Sequence, residues 1–273
     1  MTVGTKPISL VVITLDGARH LRSVLESAPF CDDRLVVDSG SADDTVAIAR
    51  AAGARVEFQP FLGYGRQKQR AVELAAHDWI LSLDDDEPLD DEAARAIAEL
   101  DLSDPSACWE IRRRTFVGNK EVRHGVWGNE YVLRLFNRRT AGFSMLAVHE
   151  QVCSERPPRR LPGSIRHFSF ENSSEILSRS IRYARPKARI MAEKGQRTGM
   201  VEIVGRGLGG FLKSFLLKRG FLDGALGFVV AVSRVIDATL PRVMLLTGEV
   251  RAEGGDGAPP APPSAVTPPR GAP

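Results

Sequence analysis

Four consecutive acidic residues, Asp84 to Glu87, follow a strand-like apolar segment at 79–83. Their like charges repel, so the cluster needs a partner of opposite charge. In an extended chain the side chains of residues i and i+2 point the same way, so Asp84 and Asp86 are expected to face one point and Asp85 another. Mg²⁺ and Mn²⁺ bind carboxylate oxygens together with substrate phosphates. The spacing therefore predicts that Asp84 and Asp86 bind Mg²⁺ or Mn²⁺ beside a diphosphate.

The alternative for this segment is an ordinary solvent-exposed turn. Pro88 and Asp90 would then start the helical segment that follows, and Glu87, Asp90 and Asp91 would have no further role. A DxD pattern occurs often by chance, so its position in the fold has to decide between the two interpretations.

The first hundred residues alternate between apolar β-rich segments and helical stretches, which predicts an α/β fold with a mostly parallel, Rossmann-like sheet flanked by helices. The β-rich segments are 8–13, 35–37, 56–58 and 79–83. Ligands of such sheets bind beyond the carboxyl ends of the strands. Here those ends carry the polar segments 14–16, 38–41 and 84–87. We expect these three segments to meet at one edge.

Cap signals mark two of the helices. Ser41 is the expected N-cap of the helix that ends before Gly53, and Asn172 with Glu175 forms the pattern of a capping box.

The composition is that of a globular protein, with 43% apolar residues and a formal net charge of +3 in 273 residues. This balance gives no reason to expect a nucleic-acid partner. Cys31, Cys108 and Cys153 form no CxxC pair, so neither a disulfide framework nor a cysteine metal site is expected. The N-terminus lacks a signal-peptide pattern, which favours the cytoplasm.

We expect three regions along the chain. Residues 1–172 form the catalytic domain, with a nucleotide-binding half at about 1–105 and an acceptor half at about 106–172. Residues 173–250 are helical, and the Pro/Gly/Ala-rich tail 251–273 is expected to be disordered.

Within the helical region, residues 203–246 mix Lys218 and Arg219 with apolar residues, among them Phe211, Leu212, Phe215, Leu216 and Phe221. The longest apolar run there is too short to span a bilayer. The pattern predicts amphipathic helices that lie on an anionic membrane surface. The alternative is an ordinary pair of core helices.

Four segments together resemble family 2 glycosyltransferases with the GT-A fold: VVITLDGARHL, RLVVDSGSADDT, GYGRQKQRAVELAAHDWILSLDDDEPL and GVWGNEYVLRLFNRR. Within that family they are most similar to the lipopolysaccharide inner-core β-glucosyltransferases, over residues 8–246. The resemblance implies an inverting transferase that uses a nucleotide sugar, with UDP-glucose as the expected donor. It also implies a lipopolysaccharide-core or other lipid-linked glycan acceptor, and a peripheral location on the inner face of the cytoplasmic membrane.

The resemblance also implies which residues bind the donor. These are Thr14, Leu15, Asp16, Asp38, Lys68, Asp84 and Asp85, with the metal on Asp84 and Asp86. Three positions depart from the usual pattern: Asp16-Gly17 replaces Asn-Glu, Ser39 replaces a second acid, and Asp85 stands where Ala is usual.

An inverting transferase needs a base that takes the proton of the attacking hydroxyl. Glu150, preceded by His149, stands where the resembling family carries its acceptor-side His-Glu, and is the first candidate. Glu130 is the second candidate, and a purely structural ion pair with nearby arginines is the alternative.

The acceptor side has further candidates between residues 112 and 127. His124 and Trp127 could form a sugar platform, since an aromatic ring covers the apolar face of a pyranose. The alternative is a packed loop. Arg112 and Arg114 could bind a phosphorylated acceptor, or belong to a solvated charge run.

Three other classes compete with a glycosyltransferase. A haloacid-dehalogenase-like phosphatase carries its DxD after the first strand, whereas here it follows the fourth. A sugar-nucleotide pyrophosphorylase would need a Gly-rich loop after the first strand. The third is a non-catalytic membrane adaptor with a degenerate transferase domain.

Overall fold

The computed structural model describes residues 5–128, 130–144 and 151–251. Its strands are β1 (Lys6–Thr14), β2 (Cys31–Asp38), β3 (Arg55–Phe58), β4 (Trp79–Asp84), β5 (Cys108–Val117), β6 (Lys120–Val122), β7 (Glu130–Asn137), β8 (Ala141–Phe143), β9 (Val152–Ser154) and β10 (Arg159–Phe170). Its α-helices are α1 (Leu21–Glu26), α2 (Thr45–Ala51), α3 (Tyr64–Leu74), α4 (Asp91–Glu99), α5 (Ser173–Glu193), α6 (Met200–Leu212) and α7 (Gly224–Leu246). His149, Glu150 and the tail from residue 252 lie outside the described residues.

The chain divides into two compact units. The first contains the described residues up to Arg113 and those between Tyr131 and His167. The second contains the described residues between Arg114 and Glu130 and those from Phe168 to Arg251. The segment that includes His124 and Trp127 thus groups with the C-terminal helices. The sequence pattern instead predicts that this segment belongs to the catalytic domain, with the helical region starting after residue 172.

The sheet has the strand order β10-β5-β7-β4-β1-β2-β3, with β6 paired to β5. The strands β3, β2, β1 and β4 run parallel, and β7 is antiparallel to β4. This confirms the predicted α/β class with a mostly parallel sheet. The registers pair Thr14 with Asp38 and Ile13 with Asp84. The polar ends of three strands therefore lie side by side.

Both faces of the parallel sheet are covered. Leu10 and Val12 of β1 belong to one buried apolar cluster, and Val11 between them belongs to another. Because the strand is buried on both faces, nearly all of its residues are apolar, as in residues 8–13.

Helix α2 begins at Thr45, so the expectation that Ser41 caps it is wrong. The Ser41 hydroxyl donates to Asp38 Oδ1 and accepts from the Asp16 N–H at 2.9 Å, so it joins two strand-end loops instead. Ser41 therefore stabilises a tertiary contact between two loops and does not cap a helix.

The other two caps are present, although the capping box is only half formed. Asn172 Oδ1 accepts from the Glu175 N–H at 3.1 Å at the start of α5, but Glu175 Oε2 accepts from the Glu171 N–H at 2.8 Å and not from that of Asn172. Gly53 follows α2 with φ +77°, the left-handed conformation that favours glycine at a helix end.

The second unit is built around α7. Helices α5 and α6 both pack against α7, and a small core contains Val117, Val122, Ile176 and Val230. Among the described residues, each helix is too short or too polar to cross a membrane.

In the first unit, β10 passes so close to α4 that it requires glycine. Gly163 has φ +78°, and a Cβ there would lie 2.1 Å from the Ala93 backbone nitrogen. Next to this contact, the Asp90 N–H donates to Ser164 O at 2.9 Å and the Arg166 N–H donates to Pro88 O at 2.9 Å. This strand therefore fixes the segment that leaves the acidic cluster.

We predict that Gly163→Ala destabilises the protein much more than Gly53→Ala. Both glycines have positive φ, but a Cβ at Gly53 would meet nothing within 4 Å. The control should cost about 1 kcal/mol for the left-handed conformation, and Gly163→Ala at least about 3 kcal/mol. Urea unfolding measures both, and equal losses would contradict the close approach.

Candidate active site

The ends of β1, β2 and β4 are joined by hydrogen bonds, as expected from the sequence. Thr14 Oγ1 donates to Asp85 Oδ2 at 2.5 Å, which links β1 to the acidic cluster. Asp16, in the left-handed region at φ 55°, accepts from the Ala42 N–H at 2.8 Å. Leu15 lies between Thr14 and Asp16 in the chain. The three loops therefore form one edge of the first unit.

Asp38 organises the loop that follows β2. Its buried carboxylate accepts from the N–H groups of Gly40 and Ser41, at 2.9 Å and 3.1 Å, and from the Ser41 hydroxyl. Asp38 thus shapes the loop at the place where the sequence predicts a nucleotide-sugar contact.

The acidic cluster forms a turn, and not the extended segment assumed from the sequence. Strand β4 ends at Asp84, and the Glu87 N–H donates to Asp84 O at 3.1 Å. Because the chain turns, the i, i+2 argument does not apply to Asp84 and Asp86. That both carboxylates face one metal ion stays a prediction.

Asp84 forms two ion pairs. Its Oδ1 lies 2.7 Å from Lys68 Nζ, and its Oδ2 lies 2.9 Å from a terminal nitrogen of Arg134. The same Arg134 nitrogen is 2.6 Å from Glu87 Oε2. Arg113 approaches the other Glu87 oxygen at 3.4 Å. Two carboxylates and three cations thus form one network.

Glu87 is completely buried within this network, so its expected role in a solvated turn is wrong. Asp90 does behave as expected, because its side chain caps α4 by accepting from the Ala93 N–H.

The network keeps its members charged. Burial raises the pKa of Asp84, but Lys68 and Arg134 outweigh it and hold that pKa well below its usual range. Burial opposes ionisation of Glu87 too, and Arg134 lowers the pKa of its carboxyl. In turn, the two carboxylates raise the pKa of Arg134 against the effect of burial.

Asp85 has a different environment. Burial is the main cause that raises the pKa of its carboxyl to about 6, although the Thr14 hydrogen bond opposes the shift. A Cβ on Gly17 would lie 2.3 Å from Asp85 Oδ2 and 2.4 Å from Thr14 Oγ1. Gly17 thus provides the space that the Asp85 carboxylate occupies.

Asp86 lies beside a histidine that the sequence did not single out. Asp86 Oδ2 is 3.6 Å from His167 Nε2. Burial is the main cause that lowers the pKa of His167 to about 4, which favours the neutral imidazole near pH 7.

This pair fits a divalent ion that also binds a diphosphate. No group of three or more His, Cys, Asp or Glu side chains suited to a metal occurs among residues 5–128, 130–144 and 151–251. A carboxylate and an imidazole leave most ligand positions to phosphate oxygens and water, which is how Mg²⁺ and Mn²⁺ are commonly held at substrate sites. In this structure Asp84 is paired with Lys68 and Arg134, whereas Asp86 lies beside His167, so the two expected metal ligands have different electrostatic surroundings.

Sequence reasoning missed Arg134 and His167, although a signal was present for each. Arg134 interrupts the apolar run YVLRLF, and His167 lies in the alternating strand SIRHFSF. A charged residue in a buried strand needs a partner, and the acidic cluster is the obvious one.

In the second unit, His124 and Trp127 both have partners. His124 Nδ1 is 2.8 Å from Asp223 Oδ1, and Asp223 also accepts the His124 N–H at 2.8 Å. The Trp127 ring stacks on Phe170 at a centroid distance of 5.5 Å. One face of Trp127 is therefore covered, so a sugar could use only the other.

Arg112 and Arg114 of β5 belong to different compact units and have different surroundings. Arg114 binds Glu121 through two hydrogen bonds of 2.7 Å and 2.8 Å. Arg112 lies in the first unit, and its buried Nε has no hydrogen-bond partner among the described residues. Glu130 is half-buried at the start of β7.

We predict that Arg134→Met lowers the free energy of unfolding by about 3–5 kcal/mol, because it leaves two carboxylates without their shared cation. Arg160→Met, which removes an exposed partner of Glu110, should have little effect. Combining Arg134→Met with Glu87→Leu should recover part of the loss. Denaturant unfolding measures all three, and a stability of Arg134→Met like that of the wild type would contradict the network.

The sequence profile described as Glycosyl transferase family 2 matches residues 18–157. An uncharacterised glycosyltransferase of Rickettsia conorii is 27% identical, over 84% of this chain and 86% of its own. The lipopolysaccharide core biosynthesis glycosyltransferase LpsC of Rhizobium meliloti is 28% identical, over 86% of this chain and 90% of its own.

Among solved structures, glucosyl-3-phosphoglycerate synthase of Mycobacterium tuberculosis, in complex with Mn²⁺, UDP and glucosyl-3-phosphoglycerate, is 25% identical. It covers 41% of this chain and 44% of its own, with a TM-score of 0.32, which is too low to support a conclusion about this chain. The family profile, however, spans just over half of the sequence and includes the whole acidic cluster. The chain therefore belongs to glycosyl transferase family 2.

Proposed function

We propose that this family 2 enzyme is an inverting hexosyltransferase that moves glucose from UDP-glucose to a lipopolysaccharide-core or other lipid-linked glycan at the inner face of the cytoplasmic membrane. The observation that carries the proposal is the edge of the parallel sheet, where Asp86 and His167 lie together beside the Lys68–Asp84 ion pair. The family membership argues against the phosphatase alternative and supports the assignment of the donor site to this edge.

On the donor side, the chain supplies both charge and fixed geometry. Asp84 holds Lys68 in place, and Arg134 fixes Asp84 in turn. We propose that Lys68 contacts the diphosphate and that the loop shaped by Asp38 and Asp16 receives the nucleoside. A Mg²⁺ or Mn²⁺ ion held by Asp86 and His167 would stabilise the negative charge of the departing nucleoside diphosphate.

On the acceptor side, we propose that Glu150 is the general base. The acceptor hydroxyl oxygen forms a bond to the anomeric carbon, while the bond from that carbon to the β-phosphate oxygen breaks. The nucleoside diphosphate leaves with the electron pair, and Glu150 takes the hydroxyl proton. Support for Glu150 comes from its position in the His-Glu motif of the resembling family.

The acceptor class is supported by the similarity to LpsC, which is named for lipopolysaccharide core biosynthesis and aligns over most of both chains. Arg112, with its unpartnered buried Nε, is the candidate in the first unit for a phosphate on that acceptor. His124 and Trp127 are the candidates in the second.

We predict that the purified protein releases UDP from UDP-glucose when Mn²⁺ and a lipopolysaccharide-core acceptor are present. Asp86→Asn should abolish this release and also the Mn²⁺-dependent part of UDP binding, because it removes a charged ligand. Product chromatography and calorimetry measure the two effects.

The matched control is Asp91→Asn, an exposed carboxylate in the first turn of α4, which should retain both properties. Release of inorganic phosphate, or no turnover with any nucleotide sugar, would refute the proposed reaction. Normal Mn²⁺-dependent turnover by Asp86→Asn would refute the assignment of the ion to Asp86.

We also predict that Glu150→Gln keeps UDP-glucose affinity and lowers the turnover number by about 10²-fold or more, the usual scale of general-base catalysis. Glu130→Gln is the comparison, since it tests the second candidate with the same chemical change. A collapse of donor affinity in Glu150→Gln would instead give Glu150 a binding or structural role.

A further inference from the structure

Helix α6 exposes a continuous apolar row in the second unit. Val201, Val204, Leu208 and Leu212 recur at intervals of three and four residues, so they share one face of the helix. All four are exposed, Val201 to 89%. The row continues through Leu216 and Leu217 in the π-helical turn Lys213–Leu217, where Leu217 is 79% exposed.

The opposite face of α6 is the one that packs on α7. Ile203 and Gly207 are buried there, and a Cβ on Gly207 would lie 2.9 Å from Thr239 Cγ2. Because this close contact requires glycine, α6 cannot rotate to hide its apolar row without losing the contact.

Three of the five apolar residues named from the sequence pattern are exposed in this surface: Leu212, Leu216 and Phe221. The other two, Phe211 and Phe215, are half-buried. Their ring centroids lie 5.3 Å apart, and they lie 5.9 Å and 6.0 Å from the ring centroid of Phe228. Phe221 and Phe228, about half-exposed, extend the apolar surface beyond α6.

Basic side chains flank this row. Lys213, Lys218 and Arg219 are exposed and have no carboxylate partner within the described part of the chain. The described residues of the second unit, 114–128, 130 and 168–251, contain seventeen Lys and Arg against nine Asp and Glu, a net charge of +8. The whole chain carries only +3, so the positive charge is concentrated in this unit.

An exposed apolar row flanked by cations that lack a carboxylate partner among the described residues favours one kind of binding partner over the others. A spanning segment is not available among the described helices. A two-fold dimer through the row would bring Lys213, Lys218 and Arg219 of one copy against the same residues of the other, with repulsion between like charges. A bilayer with anionic lipids accepts the apolar row in its interface and the cations among its phosphates.

We propose that the row on α6 and the following π-helical turn, with Lys213, Lys218 and Arg219, binds the surface of an anionic lipid bilayer, with α6 lying in the plane of the membrane. This inference rests on the proposed membrane location and names the surface responsible. It requires no change in the first unit.

Co-sedimentation with phosphatidylcholine vesicles, with or without phosphatidylglycerol, tests the proposal on the full chain. The wild type should bind only the anionic vesicles, and salt should weaken binding. Each Lys or Arg near anionic lipid contributes about 1 kcal/mol, which is about fivefold in the partition coefficient. Lys218→Glu with Arg219→Glu removes two such charges and should therefore lower the partition coefficient at least about 25-fold. Leu208→Asp with Leu212→Asp should lower it at least about tenfold.

Two controls change equivalent side chains elsewhere. Ile181→Asp removes an exposed apolar residue of α5, and Arg22→Glu with Arg50→Glu reverses exposed charges of the first unit. Both should bind vesicles like the wild type. Losses as large in the controls as in the row variants would overturn the proposal.

Light scattering and an activity assay separate the remaining outcomes. A second copy would be the occupant, and the proposal would be overturned, if two results were found together. The wild type would be a dimer that does not bind anionic vesicles, and Leu208→Asp with Leu212→Asp would convert it to monomers. Row variants should keep wild-type UDP release with a water-soluble core oligosaccharide and lose it with a vesicle-embedded acceptor. If the wild type itself fails with the soluble acceptor but binds vesicles, the proposed reaction fails and the membrane surface stands.

Discussion

The candidate site depends on one guanidinium group that is shared by two carboxylates, the buried Glu87 and the half-buried Asp84. Arg134 neutralises Glu87 and Asp84 together, and it can do so because β7 lies beside β4 in the sheet. Burying a carboxylate is costly unless it is paired, so the turn after β4 is much more stable with this arginine present. The position of Asp86, at the outer corner of the turn, is a consequence of that internal pairing.

The same turn separates carboxylates by environment. Asp84 and Glu87 face cations and stay ionised, whereas Asp85 faces the Thr14 hydroxyl and its pKa is raised to about 6 by burial. Asp86 faces a neutral imidazole. Four adjacent acids thus have three different tasks. The repulsion that the sequence implies is reduced because Asp84 and Glu87 share Arg134, while Asp85 and Asp86 lie beside uncharged groups.

Much of the first unit could be predicted from sequence, because apolar periodicity reports burial directly. The four parallel strands and the N-cap at Asn172 follow from local pattern alone. Ser41 and Glu87 were misassigned because their roles depend on partners distant in sequence, Asp16 for one and Arg134 for the other. His167 was missed for the same reason, since only the closure of β10 against residues 88–90 brings it to Asp86.

The close approach of Gly17 to Asp85 has an evolutionary consequence. Two departures from the usual family pattern, a glycine after β1 and an acid in the middle of the DxD, are here a single feature, because a Cβ at position 17 would lie 2.3 Å from Asp85 Oδ2. The constraint runs in one direction. A side chain at position 17 has room only if Asp85 is replaced and the Thr14 side chain moves, since the same Cβ would lie 2.4 Å from Thr14 Oγ1, whereas Asp85 can be replaced while Gly17 stays. Related sequences with an acid at position 85 should therefore keep glycine at position 17.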